Sequence, residues 1–495
     1  MHLADRIRGV LNGDPTAPAF EQDGGWFKWG EVGRIAARLD DLLRAQGIGE
    51  NRAVGLIGRN LPAPSSALLG LLATRRCVVP LNPYQSHEGL VLNASAANLA
   101  AIVAEPPDFE GGTLRAAAAE HGFATIVLEG NDPSSIKLVD SLRAAELADI
   151  PNCALLLSTS GTTGTPKRIP IRYDTLGASM VDSRQSSLDS GDVDLPGPQQ
   201  PPLIQHSPMV HIAGALSVTR AGWEGRPLVM LKKFNAPDWI DAVRRHRPTA
   251  ASLPPTMMRA VVNENPPPEA LASLIGVWSG ASPVDMAVLH EFERRYDVIV
   301  MGSYGATEFA GQVAWGSLAD REKYGNSKDR SVGRFHPPGV FARVVDPESG
   351  QILPLGEIGI LEVQVAKIGP EWMRTSDRMS IDADNFLYFE GRADDAINRG
   401  GFKIVPTIIA DALRRHPSVG DVAVIGVPDK RLGEVPVAAV ELKAGAQTTE
   451  RQALLDFAKS NLIAYQVPTE IKIVASLPRT PSFKIDRNAV KALFD

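Results

Sequence analysis

Leu155-Leu156-Leu157-Ser158-Thr159-Ser160-Gly161-Thr162-Thr163-Gly164-Thr165-Pro166-Lys167-Arg168 joins an apolar run to a loop of hydroxyls, glycines and one lysine. Residues 153–157 read as a short buried strand, and the loop it empties into suits a polyphosphate. Gly161 and Gly164 accept positive φ, so backbone N–H groups can converge on phosphate oxygens. The hydroxyls of Thr159, Ser160, Thr162 and Thr163 add donors, and Lys167 adds a point charge. A solvent-exposed Ser/Thr/Gly linker is the plain alternative. A P-loop is excluded by spacing: Pro166 stands where its second glycine belongs, and Arg168 replaces the Ser/Thr that would hold magnesium.

Working outward, 495 residues are too many for one core, and two to four folding units are expected. A net charge of −6 without a long basic run argues against nucleic acid or an anionic membrane as partner. The two cysteines, Cys77 and Cys153, lie in apolar stretches and read as buried thiols, with no disulfide framework or zinc site. Residues 1–10 lack an apolar signal core, no stretch reaches the length of a membrane span, and residues 492–495 carry no peroxisomal or lipid tag. A soluble cytoplasmic protein is expected.

Periodicity gives helices at 3–11, 29–46, 64–74 and 88–97, and strands at 53–57, 77–81, 100–104 and 124–129. Such alternation implies a parallel sheet covered on both faces, and the glycine loop follows one of its strands, where open α/β sheets place ligands. After a helix around 175–184, residues 187–202 read as a surface loop. A second round follows: strands 203–206, 228–231, 249–253 and 298–301, helices 212–221, 237–245 and 284–295. Residues 331–389 change to short apolar runs at 341–345, 358–365 and 386–389 broken by Gly, Pro and Asp, a small β subdomain. Beyond a boundary near 392–401, strand and helix alternate again to residue 495. The expected fold class is therefore α/β: a large N-terminal domain of two α/β halves plus a small β subdomain, followed by a small α+β C-terminal lobe.

The first loop resembles S-G-T-T-G-x-P-K of the adenylate-forming superfamily, which includes acyl- and aryl-CoA ligases and peptide-synthetase adenylation domains. Five further stretches match in the family's order. Met301-Gly302-Ser303-Tyr304-Gly305-Ala306-Thr307-Glu308 is similar to G-Y-G-x-T-E. Arg374-Thr375-Ser376-Asp377 and Gly391-Arg392-Ala393-Asp394 are similar to T-G-D and G-R-x-[DK]. Arg399-Gly400-Gly401-Phe402-Lys403 resembles the glycine loop of the C-terminal lobe, and Pro478-Arg479-Thr480-Pro481-Ser482-Phe483-Lys484-Ile485 resembles P-[KR]-T-x-[ST]-G-K-[IL]. Ser207-Pro208-Met209-Val210-His211-Ile212 follows the acyl- and aryl-CoA ligase pattern. The chain departs from the family at Arg168, Ser376 and Phe483, where glycine is usual, at Asn398, where many members have Lys, and at Ile408, where many have Glu.

The resemblance implies ATP-dependent activation of a carboxylic acid through acyl-AMP, then transfer to CoA, with ATP, Mg2+ and CoA required. An adenylate donor to a carrier protein or an amine, and a non-catalytic nucleotide-binding protein, remain as alternatives. By the same resemblance Lys484, Glu308, Thr163 and His211 are catalytic, and Glu308 holds magnesium. The nucleotide falls to Thr159, Ser160, Gly161, Thr162, Thr163, Gly164, Lys167, Ser303, Tyr304, Gly305, Thr307, Asp377, Arg392 and Lys484. His211, Ile212, Trp278, Gly280 and Gly302 line the acyl pocket, and Gly400, Gly401, Phe402 and Lys403 the CoA tunnel. Residues 1–393 form the adenylation domain, with the β subdomain at 331–391, and 394–495 a mobile lobe hinged at Asp394. The acid itself, and the oligomeric state, a homodimer included, stay open.

Overall fold

The computed structural model describes all residues except 1, 144–148, 160–166, 283, 337–338, 394, 401, 444, 447–448 and 481–483, and the backbone alone of His87, Thr159, Lys167 and Lys403. It divides into two compact units, Met1–Ala281 with Ala287–Asp329, and Ser282–Met286 with Arg330–Asp495.

The first unit is built on a seven-stranded sheet ordered Ile136–Asp140, Ala124–Leu128, Ala101–Ala104, Ala53–Ile57, Cys77–Leu81, Cys153–Thr159, Lys167–Arg172. The two central strands, Ala53–Ile57 and Cys77–Leu81, are buried along their whole length, as unbroken apolar sequences in a parallel sheet covered on both faces must be. Helix Pro62–Ala73 is likewise buried at every position, so it has no polar face to turn to water. Both cysteines are free and buried in one apolar cluster beside this sheet.

A second sheet runs Ala250–Ser252, Gly276–Ser279 and Ile299–Ala306 in parallel, with Gly311–Trp315 returning antiparallel. A third draws on both α/β halves of the unit. The hairpin Pro18–Gln22 and Gly25–Lys28 pairs in parallel with Leu228–Met230, which carries Leu203–Gln205 on its other side. The two α/β halves are thus tied together by a sheet to which each contributes strands.

In the second unit, Val340–Val345, Gly359–Val365, Trp372–Ile381 and Leu387–Arg392 form an antiparallel meander. Beyond it, Val419–Asp429 and Gly433–Leu442 make a long hairpin, flanked by Ile397–Arg399 and by Glu470–Val474. Helices Pro406–Arg414 and Arg451–Asn461 cover this sheet through Ile409, Leu413, Leu454 and Ala458, which join Val422 and Val440 in one core.

The structure corrects four expectations. The large sheet is not purely parallel, because Ile136–Asp140 and Lys167–Arg172 close its edges antiparallel. Residues 187–202 are not simply a surface loop: the preceding helix runs Tyr173–Asp189, and Asp192 is buried. Its carboxylate accepts from Arg226 at 2.6 Å and from the Ser187 hydroxyl at 3.0 Å, and an arginine as buried as Arg226 requires such a partner. The C-terminal residues do not alternate strictly, since two consecutive strands follow helix Pro406–Arg414. Strands Pro18–Gln22, Gly276–Ser279, Gly311–Trp315 and Trp372–Ile381 were not expected at all. Among the described residues no helix is long and apolar enough to cross a membrane.

Candidate active site

The first expected segment begins where strand Cys153–Thr159 ends. That strand pairs antiparallel with Lys167–Arg172, and Thr159 stands opposite Lys167. Ser160, Gly161, Thr162, Thr163 and Gly164 lie outside the described residues. Arg168, beside Lys167, donates from Nη2 to the Asn93 carbonyl at 2.6 Å, near the end of helix His87–Ser95, where unsatisfied carbonyls favour a cation. Helix Tyr173–Asp189 follows and reaches the second segment: the Ser179 hydroxyl donates to the Ala310 carbonyl at 2.7 Å, so one helix ties both together.

The second segment is the end of strand Ile299–Ala306, which carries Ser303, Tyr304 and Gly305, and the single turn Thr307–Phe309, which carries Thr307 and Glu308. Ala310 closes the turn at φ 56°. The hairpin with Gly311–Trp315 shifts register between Tyr304 and Gly305. A Cβ on Gly305 would lie 2.3 Å from the Gly311 carbonyl oxygen, so the strands approach as closely as they do only because residue 305 has no side chain.

The expected acyl-pocket residues fall on neighbouring elements. Trp278 stands beside Met301, and Ser279 beside Gly302, across the parallel strands Gly276–Ser279 and Ile299–Ala306. Gly280 presses on Ser303, where an added Cβ would meet Oγ at 2.4 Å and the carbonyl oxygen at 2.7 Å. His211 precedes helix Ile212–Glu224, its N–H donating to the Pro208 carbonyl at 3.0 Å, and Leu216 of that helix lies close to Gly311. His206, missed by the sequence reading, is buried. Its Nε2 lies 3.1 Å from the Ser252 carbonyl, and burial pushes its pKa down to about 4, so it is neutral near pH 7.

The second unit brings three expected residues together. Asp377 and Arg392 stand opposite each other across the last two strands of the meander, with Arg392 Nε 3.9 Å from Asp377 Oδ1. The Arg392 guanidinium donates from Nη2 to the Ser376 hydroxyl at 2.6 Å. Lys484 lies within reach of both charges. The residue is open to solvent, yet the protein crowded around its ammonium lowers the pKa, as does the positive charge of Arg392, while Asp377 raises it. The Lys484 carbonyl accepts from the Thr480 N–H at 2.8 Å.

Of the expected CoA-tunnel residues, Gly400 adopts φ +57° and donates its N–H to the Leu432 carbonyl at 2.7 Å. Phe402 stacks on Tyr465 with ring centres 4.7 Å apart, and Arg399 fixes that partner by donating to the Tyr465 carbonyl at 2.7 Å. Gly401 and the expected hinge Asp394 lie outside the described residues. The bond from Arg392 to Ser376 spans two strands, and the bond from Ser179 to Ala310 spans 131 positions, so no local pattern announces either.

Among curated proteins, 4-coumarate–CoA ligase 3 of Oryza sativa subsp. japonica is 28% identical over 95% of this chain and 88% of the relative. Sulfoacetate–CoA ligase of Cupriavidus necator is 29% identical over 93% of this chain and 91% of the relative. Among solved structures, ATP-bound MatB from Rhodopseudomonas palustris superposes with a TM-score of 0.82 at 23% identity, covering 100% of this chain and 99% of that one. MenE from Bacillus subtilis, in complex with the acyl-adenylate OSB-AMP, gives 0.79 at 22% identity over 98% of this chain and 97% of that one. Residues 409–484 match the C-terminal domain of AMP-binding enzymes and residues 8–370 match the main domain, and the chain belongs to the AMP-binding enzyme family.

Proposed function

We propose that the protein is an AMP-forming acid–CoA ligase. The carboxylate of an organic acid attacks the α-phosphorus of ATP, an acyl–phosphate bond forms, and pyrophosphate leaves. The sulfur of CoA then attacks the acyl carbonyl, a thioester forms, the thiol proton passes to solvent, and AMP leaves. Both steps need charge neutralised and atoms aligned more than they need a covalent group from the protein. The observation that carries the reading is the gathering of Asp377, Arg392 and Lys484 in one place. A carboxylate suits the ribose diol, a guanidinium suits phosphate, and an ammonium suits the charge that develops between carboxylate and α-phosphate. Relatives named as CoA ligases, matched along more than nine-tenths of the chain, support CoA as the acceptor.

We assign Thr307 and the Thr159–Lys167 segment to the phosphates and Tyr304 to the adenine face. His211, Ile212, Trp278, Gly280 and Gly302 are assigned to the acyl group, and Gly400 to Lys403 to the thiol's approach. Among the described residues no group of three or more His, Cys, Asp or Glu could hold a metal alone. Glu308 offers a single hard carboxylate, which fits a magnesium ion that takes its remaining oxygens from the triphosphate. Such an ion would neutralise triphosphate charge, and Glu308 would hold it in place.

The test is mass-spectrometric detection of acyl-CoA after incubation with ATP, CoA and a library of carboxylic acids. Acid-dependent pyrophosphate release matched by acyl-CoA is the expected result. Acyl-AMP that persists beside CoA would favour a carrier protein or an amine as acceptor, and no pyrophosphate with any acid would favour a nucleotide-binding protein.

A further inference from the structure

The short strand Leu203–Gln205 ends in a glutamine that is only 1% exposed, and its side chain is committed to the turn that follows. Gln205 Nε2 donates to the Ser207 carbonyl at 2.7 Å, and the same nitrogen reaches the Gly214 carbonyl, in the first turn of helix Ile212–Glu224, and Asn60 Oδ1, each at 3.4 Å. The amide therefore touches both ends of residues 207–214, the segment that carries His211. It works from a fixed base. Gln205 pairs with Met230 in the sheet and its carbonyl accepts from the Leu231 N–H at 2.9 Å, while Asn60 donates to the Leu231 carbonyl at 3.1 Å. The two ends of the segment are in close contact, since a Cβ on Gly214 would lie 2.1 Å from the Pro208 carbonyl oxygen and 2.7 Å from that of Ser207. Met209, within the segment, is buried near Gly58, and its sulfur accepts from the Ser65 hydroxyl at 3.3 Å.

We propose that Gln205 is a positioning residue whose buried amide staples the turn at 207–211 to the start of helix Ile212–Glu224, and so sets where His211 and Ile212 meet the acyl group. It acts on the main chain that carries His211, not on the imidazole. The consequence for turnover rests on the functional reading above, but the staple itself does not. The residue type argues for the role. Leu203 and Ile204 are apolar, and a leucine or methionine at 205 would extend that run without burying a polar group. Gln205 Oε1 is buried and meets no partner among the described residues, a cost that a position serving packing alone would not carry. What glutamine adds is a pair of N–H donors on a side chain long enough to reach both carbonyls. Its neighbours do not duplicate them: His206 Nε2 faces the Ser252 carbonyl, and the Ser207 hydroxyl lies 3.4 Å from His206 Nδ1.

The experiment compares wild type with Gln205→Met and Gln205→Glu, which keep the length of the side chain and remove its amide donors, so one variant reports if the other fails to fold. Amide hydrogen exchange in the substrate-free protein follows the His211 and Ala215 N–H groups, which donate to the Pro208 and His211 carbonyls. Loss of about one hydrogen bond predicts exchange about three- to tenfold faster at both, with residues 219–224 at the far end of the helix unchanged. Acid-dependent pyrophosphate release then gives kcat and the KM for the acid and for ATP. A loosened turn raises KM for the acid about three- to tenfold and leaves KM for ATP as it was, whereas loss of folded protein lowers kcat alone. In the His211→Ala background, Gln205→Met should raise KM for the acid little further. Unchanged exchange at His211 and Ala215 in a folded variant would overturn the proposal, as would equal rises in the two KM values. Faster exchange in the variants of a protein that activates no acid would support the staple and overturn the functional reading instead.

Discussion

Glu308 leaves the end of strand Ile299–Ala306 on one short turn, and the bond from Ser179 to Ala310 pins that turn from behind. A change at 308 that keeps size and removes charge should therefore leave the fold intact. Glu308→Gln is expected to lower adenylation by about a hundredfold or more, the loss typical of one preorganised charge-stabilising group. Pyrophosphate release beside an unchanged circular dichroism spectrum checks it. Gly280 presents the opposite case. A Cβ there meets the Ser303 carbonyl, and Ser303 cannot yield because it is held in the ladder opposite Trp315. Gly280→Ala should cost about 1–3 kcal/mol of stability, read as a lowered urea midpoint. His206 adds a pH dependence. Its folded pKa of about 4 lies below the ordinary 6.5, so between those values the unfolded chain binds the proton and the folded one does not. Stability is full above pH 6.5 and falls as pH drops toward 4, by on the order of 3 kcal/mol at most. Unfolding midpoints of wild type and His206→Gln at pH 7.5 and 4.5 isolate that share, and the mutant should lose less on acidification.

At the scale of elements, what the sequence disclosed was what is contiguous. Tyr304, Thr307 and Glu308 lie within five consecutive positions on a strand and its turn, and the long buried strands of the large sheet are unbroken apolar runs. Strand Trp372–Ile381 escaped notice because it is only partly buried over most of its length, so its residues show no alternation of apolar and polar. Hairpin Pro18–Gln22 and Gly25–Lys28 escaped because its stability comes from Leu228–Met230, some 200 positions away, and non-local pairing leaves no local pattern. The antiparallel edge Lys167–Arg172 was hidden for a related reason: sequence announces a strand and a loop, but direction is decided by the neighbour it meets. Gly305 tests the hairpin built on Ile299–Ala306. Gly305→Ala must force the two strands apart at the bulge, and displacing Thr307 and Glu308 with them should lower both stability and pyrophosphate release, whereas a change confined to packing would lower stability alone.

At the scale of the molecule, the compact units part at Asp329 and Arg330, while the sequence placed the pivot at Asp394, within the second unit. The small meander belongs with the C-terminal sheet by contact, because Gly391 packs against Val405 and Thr407. The pivot at 394 stays a proposal, and proline there tests it. Pro fixes φ near −65°, so Asp394→Pro should impair one half-reaction far more than the other, the CoA step most of all. The central claim is that one chain carries out two successive transfers, with Lys484 serving the first and the stretch from Gly400 to Lys403 the second. Its most direct test measures the half-reactions separately in wild type and Lys484→Ala: acid-dependent pyrophosphate release from ATP, and thioester formation from supplied acyl-AMP and CoA. Lys484→Ala is predicted to lose the first by about a hundredfold or more and to retain the second near the wild-type rate. Equal loss of both steps in a folded mutant, or a wild type that releases pyrophosphate yet makes no thioester, would contradict it.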